Sequence, residues 1–179
     1  MSLYRTYIQQ LSFNGIEYTK GDVIDILNKY NIVCQEFPFV FSPKVKPLDT
    51  LDWAGEDGVE VYTPKHLPLE DYDLDAEFIC TGSKDDIRQN IVNFINFLHG
   101  RDKNAVGCRL AVYNEYTGIG RKDVIVSEVK NELFFVSDND PDSVARFSIK
   151  FHVYDPVTEV TPTYIDADGD KKVSQLNFE

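Results

Sequence analysis

"DYDLDAEFICTGSKDDIRQNIVNFINFLHG", residues 71–100, changes its hydrophobic period half-way, and that change decides the fold. In the first part Tyr72, Leu74, Ala76, Phe78 and Cys80 alternate with Asp71, Asp73, Asp75, Glu77 and Ile79, as in a strand with one buried and one acidic face. Beyond Ser83 the apolar residues Ile87, Ile91, Phe94, Ile95 and Leu98 recur about every 3.6 residues, largely opposite Asp85, Arg88, Gln89, Asn93 and Asn96. Ser83 stands at the N-cap, Asp85 and Asp86 complement the helix dipole, and Gly100 follows as the terminator. The spacing predicts a strand over 72–81 and a helix over 84–98 packed against a sheet.

Downstream, 108–116, 123–129, 132–137 and 145–154 are rich in Val, Ile, Phe and Tyr and read as strands. In the last, Ala145, Phe147, Ile149, Phe151 and Val153 share one face, and Arg146, Ser148, Lys150, His152 and Tyr154 the other. The connections "TGIGRK", "KN" and "SDNDPDS" carry turn residues. Upstream, a strand pair near Tyr18, a short helix carrying Val23, Ile26, Leu27 and Tyr30, and a strand over 32–41 are expected. Pro43, Pro47, Pro64, Pro68, Gly55 and Gly58 make 42–70 a projecting loop. The expected class is α+β, mainly β: an antiparallel β-sandwich or split barrel packed with one principal helix. Residues 1–155 form one domain in this reading, and 156–179 an arm or tail.

A net charge of −12 argues against binding nucleic acid through its phosphates. Between Leu48 and Phe78 ten acids face Lys65 alone, so most of the imbalance sits there. No apolar run approaches spanning length, and the opening "MSLYRTYIQQ" lacks the apolar segment of a secretory signal, so a soluble protein that stays where it is made is expected. Cys34, Cys80 and Cys108 have no zinc-type spacing and read as buried free thiols.

Candidates for chemistry are thin. His66, His99 and His152 form no metal-binding pair, and a Cys/His nucleophile has no sequence support beyond the presence of both residue types. "DADGD" (166–170) and "DNDPD" (138–142) depart from the calcium-loop pattern and read as acidic turns. "YTGIGRKD" lies between two strands, so its glycines mark a hairpin tip and not a dinucleotide fingerprint. No catalytic residue, cofactor or metal is therefore expected. Trp53, the single Trp, lies between Asp52 and the acids Glu56 and Asp57; it either caps the domain's own core or anchors an interface. If it anchors one, Arg146 and Lys150 on the polar face of the last strand are the basic groups that would meet the acidic loop.

The Trp-containing acidic loop Trp53–Gly58, the "DLDAEFIC" strand, the single helix and the "VYDP" element at Val153–Pro156 together resemble tail proteins of long-tailed bacteriophages and prophages. The pattern, over about 37–156, is similar to distal tail proteins and their tail-tube relatives. The resemblance implies a body crossed by one helix and a non-catalytic subunit that assembles with itself into a ring, a hexamer in the tail-protein pattern, and with other tail proteins. It places the protein in the virion tail, and in the bacterial cytoplasm during assembly, with no membrane partner. No obvious second, carbohydrate-binding domain of the sort many distal tail proteins carry is seen in this sequence, and a tube, connector or completion role fits the length equally well. Two other classes stay open: a split-barrel enzyme binding flavin or another phosphate-bearing cofactor near Arg121 and Lys122, and a small acidic binding module.

Overall fold

The computed structural model describes residues 4–135, 143–167 and 170–178. The protein is mainly β and of the α+β class, as its patterning predicts. Strands β1 (Thr6–Phe13), β2 (Tyr18–Asp25), β3 (Ile32–Glu36), β6 (Tyr72–Gly82), β7 (Arg109–Asn114), β8 (Ile119–Phe135) and β9 (Ser143–Val153) form one antiparallel sheet in the order β2-β1-β7-β8-β9-β6-β3. Helix α1 is Ile26–Tyr30 and α2 is Lys84–Leu98. Two hairpins stand outside the sheet: β4 (Thr50–Leu51) with β5 (Glu60–Val61), and β10 (Thr161–Ala167) with β11 (Asp170–Asn177).

The β6–β9 register turns two alternating sequences into one core wall. Leu74 pairs with Phe151, Ala76 with Ile149, Phe78 with Phe147 and Cys80 with Ala145, and all eight are buried. Helix α2 lays Ile87, Ile91, Phe94, Phe97 and Leu98 onto that wall. At ~1.5–3 kcal/mol per fully buried side chain the gross gain is on the order of 10 kcal/mol, enough to fix the helix to the sheet. Phe97 takes a buried place that the sequence pattern gave to Ile95, which is only half-buried. Both ends of α2 are closed. The Ser83 hydroxyl accepts from Asp86 N–H at 3.3 Å, and Gly100 (φ +66°) completes a Schellman turn, with Gly100 N–H donating to Phe97 O and Arg101 N–H to Asn96 O.

The sheet curls. Laid flat with strands ~4.8 Å apart, its outer strands β2 and β3 would lie on the order of 29 Å from each other. Only Ile26–Asn31 joins them, and most of that link is coiled into α1 at ~1.5 Å per residue. The curl also brings β3 against β7, where Asn114 Nδ2 lies 3.9 Å from Cys34 Sγ and donates to Thr6 Oγ1 at 3.3 Å. One continuous core thus runs from Ile8 and Val112 round to Phe78 and Phe151.

Residues 156–179, expected as an arm or tail, largely form the β10–β11 hairpin. It packs on the outer face of β1, β2 and β7, where Val160, Val173 and Leu176 join Tyr7, Leu11 and Ala111 in a second buried cluster. The curled sheet supplies the split-barrel character, and this hairpin a second β layer over part of it. The strands expected at 123–129 and 132–137 are one strand, β8, in which "KN" is a register shift between Lys130 and Phe134 and not a turn. The short helix is confined to 26–30, because Val23–Asp25 pair with β1 as part of β2; the Asp25 side chain caps α1 by accepting from Leu27 and Asn28 N–H. Strand β3 ends at Glu36, short of the expected Phe41. The acidic turn at 138–142 lies outside the described residues, as does part of the one at 166–170.

Candidate functional site: the projecting arm

Between β3 and β6 the chain leaves the body as a two-stranded ribbon. At its base Glu70 N–H donates to Lys44 O at 2.7 Å and Lys46 N–H to Pro68 O at 2.9 Å, around a Val45–Leu69 bridge. Further out Tyr62 N–H donates to Asp49 O at 3.0 Å, and Thr50 pairs with Val61 and Leu51 with Glu60. The tip is a turn closed by Glu56 N–H on Trp53 O at 3.2 Å. Strand alternation puts Leu51 and Tyr62 on one face and Val61 on the other, and all three are exposed. With Val59 and Leu67 also exposed, both faces carry apolar surface that no other part of the described chain covers. A lone two-stranded ribbon is marginal in water.

Trp53 is 52% exposed and does not cap the core; its indole N–H donates to Glu60 Oε2 at 3.1 Å, and Glu56 and Asp57 are exposed beside it. Arg146 and Lys150 lie elsewhere, on the outer face of β9. There two acids of β6 are paired within the chain: Lys150 Nζ is 3.1 Å from Asp73 Oδ2, and Lys130 Nζ is 2.9 Å from Asp75 Oδ1. Lys150 could meet a neighbour's acidic loop only by leaving Asp73, whereas Arg146 is exposed.

His152 closes this ladder at the foot of the arm. One ring nitrogen is 2.6 Å from Asp73 Oδ1 and the other 2.6 Å from Asp71 Oδ2, with the Tyr154 ring edge-on at 4.3 Å. Burial works against the imidazolium, but the hydrogen bonds to Asp73 and Asp71 outweigh it and raise the His152 pKa. The bond to His152 holds both carboxylates below their usual range, helped at Asp73 by Lys150. A raised histidine pKa stabilises the fold fully below its unfolded value and loses that contribution as pH rises through the folded one. Lowered carboxylate pKa values do the opposite, losing theirs as pH falls. The cluster therefore acts fully between about pH 4 and about pH 6.5. Over pH 6.5–8 the parent's urea midpoint should fall relative to that of His152→Gln; parallel curves would show that the triad does not titrate as a unit.

Cys80 is buried and Cys34 half-buried, with burial pushing their thiols up to about 11 and about 12, away from nucleophilic thiolates. Cys108 corrects the expectation of three buried thiols, because it is exposed at the entry to β7. His66 and His99 are exposed, and His152 is engaged by its aspartates. Arg121 is buried with Nη1 on Gly120 O, while Lys122 turns to Asp155 and lies over the Tyr18 ring at 4.8 Å. These neighbours on a strand face opposite ways and do not converge on one phosphate. Asn114 and Ile119 flank the hairpin tip in "YTGIGRKD", as its glycines predict. Among the described residues no group of His, Cys, Asp and Glu is arranged to hold a metal ion, and no helix is long and apolar enough to cross a membrane. Compared with known proteins, the chain matches no family model, no curated protein and no solved structure.

Proposed function

We propose that the protein is a non-catalytic structural subunit that works by assembly, and that the assembly is a phage or prophage tail, where copies form a ring, hexameric in the tail-protein pattern. The observation that carries the assembly reading is the arm, with apolar residues on both faces and a half-exposed Trp53 at its tip. An isolated ribbon of this kind loses by exposure and gains by burial against a partner, and its acids set orientation at the rim. The tail assignment rests on the sequence resemblance around Trp53–Gly58 and residues 72–100.

The test replaces residues 49–62 by a short glycine-containing turn and makes Trp53→Ala separately. Both variants should keep the parent's urea midpoint, since the arm contributes nothing to the buried core. Arm removal should abolish concentration-dependent association in sedimentation and incorporation into tails. Trp53→Ala should weaken association roughly thirtyfold, the equivalent of about 2 kcal/mol for an interfacial Trp. If the arm-less protein assembles like the parent, the reading fails.

A further inference from the structure

We propose that the arm of one copy docks on the free edge of β2 in the next, its acids meeting Lys29, Lys171 and Lys172. This rests on the assembly reading above and names the surface that receives the arm. Among the described residues β2 pairs only with β1 at the end of the sheet, so its outer edge has no strand partner. Two adjoining recesses, of about 140 Å³ and 360 Å³, share Val23, Asp25 and Asn28 along this edge. Lys171 and Lys172 from β11 line the first and Lys29 from α1 the second, and all three are exposed. Among the described residues none of the three has a carboxylate within ion-pair distance; Lys29 lies over the Tyr30 and Phe97 rings, and Asp166 stands opposite Lys171 across the hairpin. Arg5, in the same recess, is already paired with Asp25.

In a chain of net charge −12 this group of lysines is the counterpart of the arm, which carries five acids and no base from Asp49 to Tyr62. Among the described residues its strands β4 and β5 pair only with each other, which leaves the ribbon edges able to extend a neighbour's sheet at β2. Donor and acceptor also lie at opposite ends of β3: α1, beside the acceptor, precedes Ile32, and the arm follows Glu36. The contact is therefore head-to-tail between two different surfaces, the kind that closes into a ring or runs on as a filament.

A charge swap in the full-length protein tests it. One variant reverses the acceptor (Lys171→Glu with Lys172→Glu), the other the arm (Glu56→Lys with Asp57→Lys). Each alone should self-associate at least tenfold more weakly by sedimentation at low salt. Their equimolar mixture should regain the parent's association, because each arm then finds an acceptor of opposite sign; high salt should erase the difference between parent and variants. If removing the arm abolishes association while reversing the acceptor does not, the assembly reading stands and this docking site is wrong. If the lysines merely keep β2 from pairing, reversal leaves association unchanged or stronger and the mixture gains nothing, which also overturns it. A parent that is monomeric at every concentration overturns the second-copy assignment, and arm function is then judged by tail incorporation.

Discussion

Phe94→Ala will destabilise the protein by about 3–5 kcal/mol, the cost of deleting a buried aromatic side chain whose site cannot collapse. Phe94 is fully buried on α2, with its ring 5.4 Å from that of Phe78, 6.5 Å from Phe147 and 5.5 Å from Tyr30. Phe78 and Phe147 stack on each other at 5.4 Å from directly paired positions of β6 and β9. Relaxation into the space would require slipping that register, which moves every inward side chain of a strand to the outer face. Helix α2 is held at both ends by its cap and Schellman turn, so it cannot settle inward alone. Val92→Ala, at an exposed position of the same helix, is the control and should change stability by no more than about 0.5 kcal/mol. Urea unfolding of both variants decides the matter: equal midpoints would mean that Phe94 is not at the centre of the core.

The strand-to-helix transition at 71–100 was legible because burial is local there: each side chain's period states which face it turns inward. The strand pair near Tyr18 is β1 with β2, but the extent of β1 was not legible, because Gln9 and Gln10 interrupt its apolar pattern although both are buried. Gln10 is satisfied only in the fold, where Nε2 donates to Phe97 O at 2.6 Å and Asp102 Oδ1 at 2.9 Å, and Oε1 accepts from Val106 N–H at 3.1 Å. Those partners lie some ninety positions away, beyond the reach of any local window. The break at "KN" misled for a related reason, since a register shift and a turn use the same residue types. The projecting arm could be read from its prolines and glycines, and Trp53 from its isolation among acids. The His152 triad could not, because Asp71, Asp73 and His152 meet only once the β6–β9 register is known. The lysines beside β2 come from α1 and β11, which no spacing in the sequence connects.

Gly107→Ala will cost about 3 kcal/mol or more, for a reason that no pattern of polarity reveals. A Cβ at Gly107 would lie 2.2 Å from Leu11 O and 3.0 Å from Leu11 C, inside any tolerable contact. The obstacle is the backbone of β1, which pairs with β2 on one side and β7 on the other and has no room to retreat. Gly107 cannot move the other way, because Gly100 is packed against it: a Cβ there would lie 2.9 Å from Gly107 O. The connection from α2 to β7 is thus wedged between the helix end and β1, with the Gln10 side chain tying its two ends together. Gly58→Ala separates this crowding from the backbone preference of glycine. Gly58 sits at φ +87° in the arm with open space around it, so the substitution costs only about 1 kcal/mol of conformational strain. For a chain of this size about 3 kcal/mol corresponds to a thermal midpoint lower by roughly 6–12 °C, whereas the strain of Gly58→Ala stays within the arm and leaves the midpoint near the parent's. A Gly107→Ala protein that melts with Gly58→Ala would mean that the connection stands off β1, and the placement of the α2 C-terminus against the sheet would have to be redrawn.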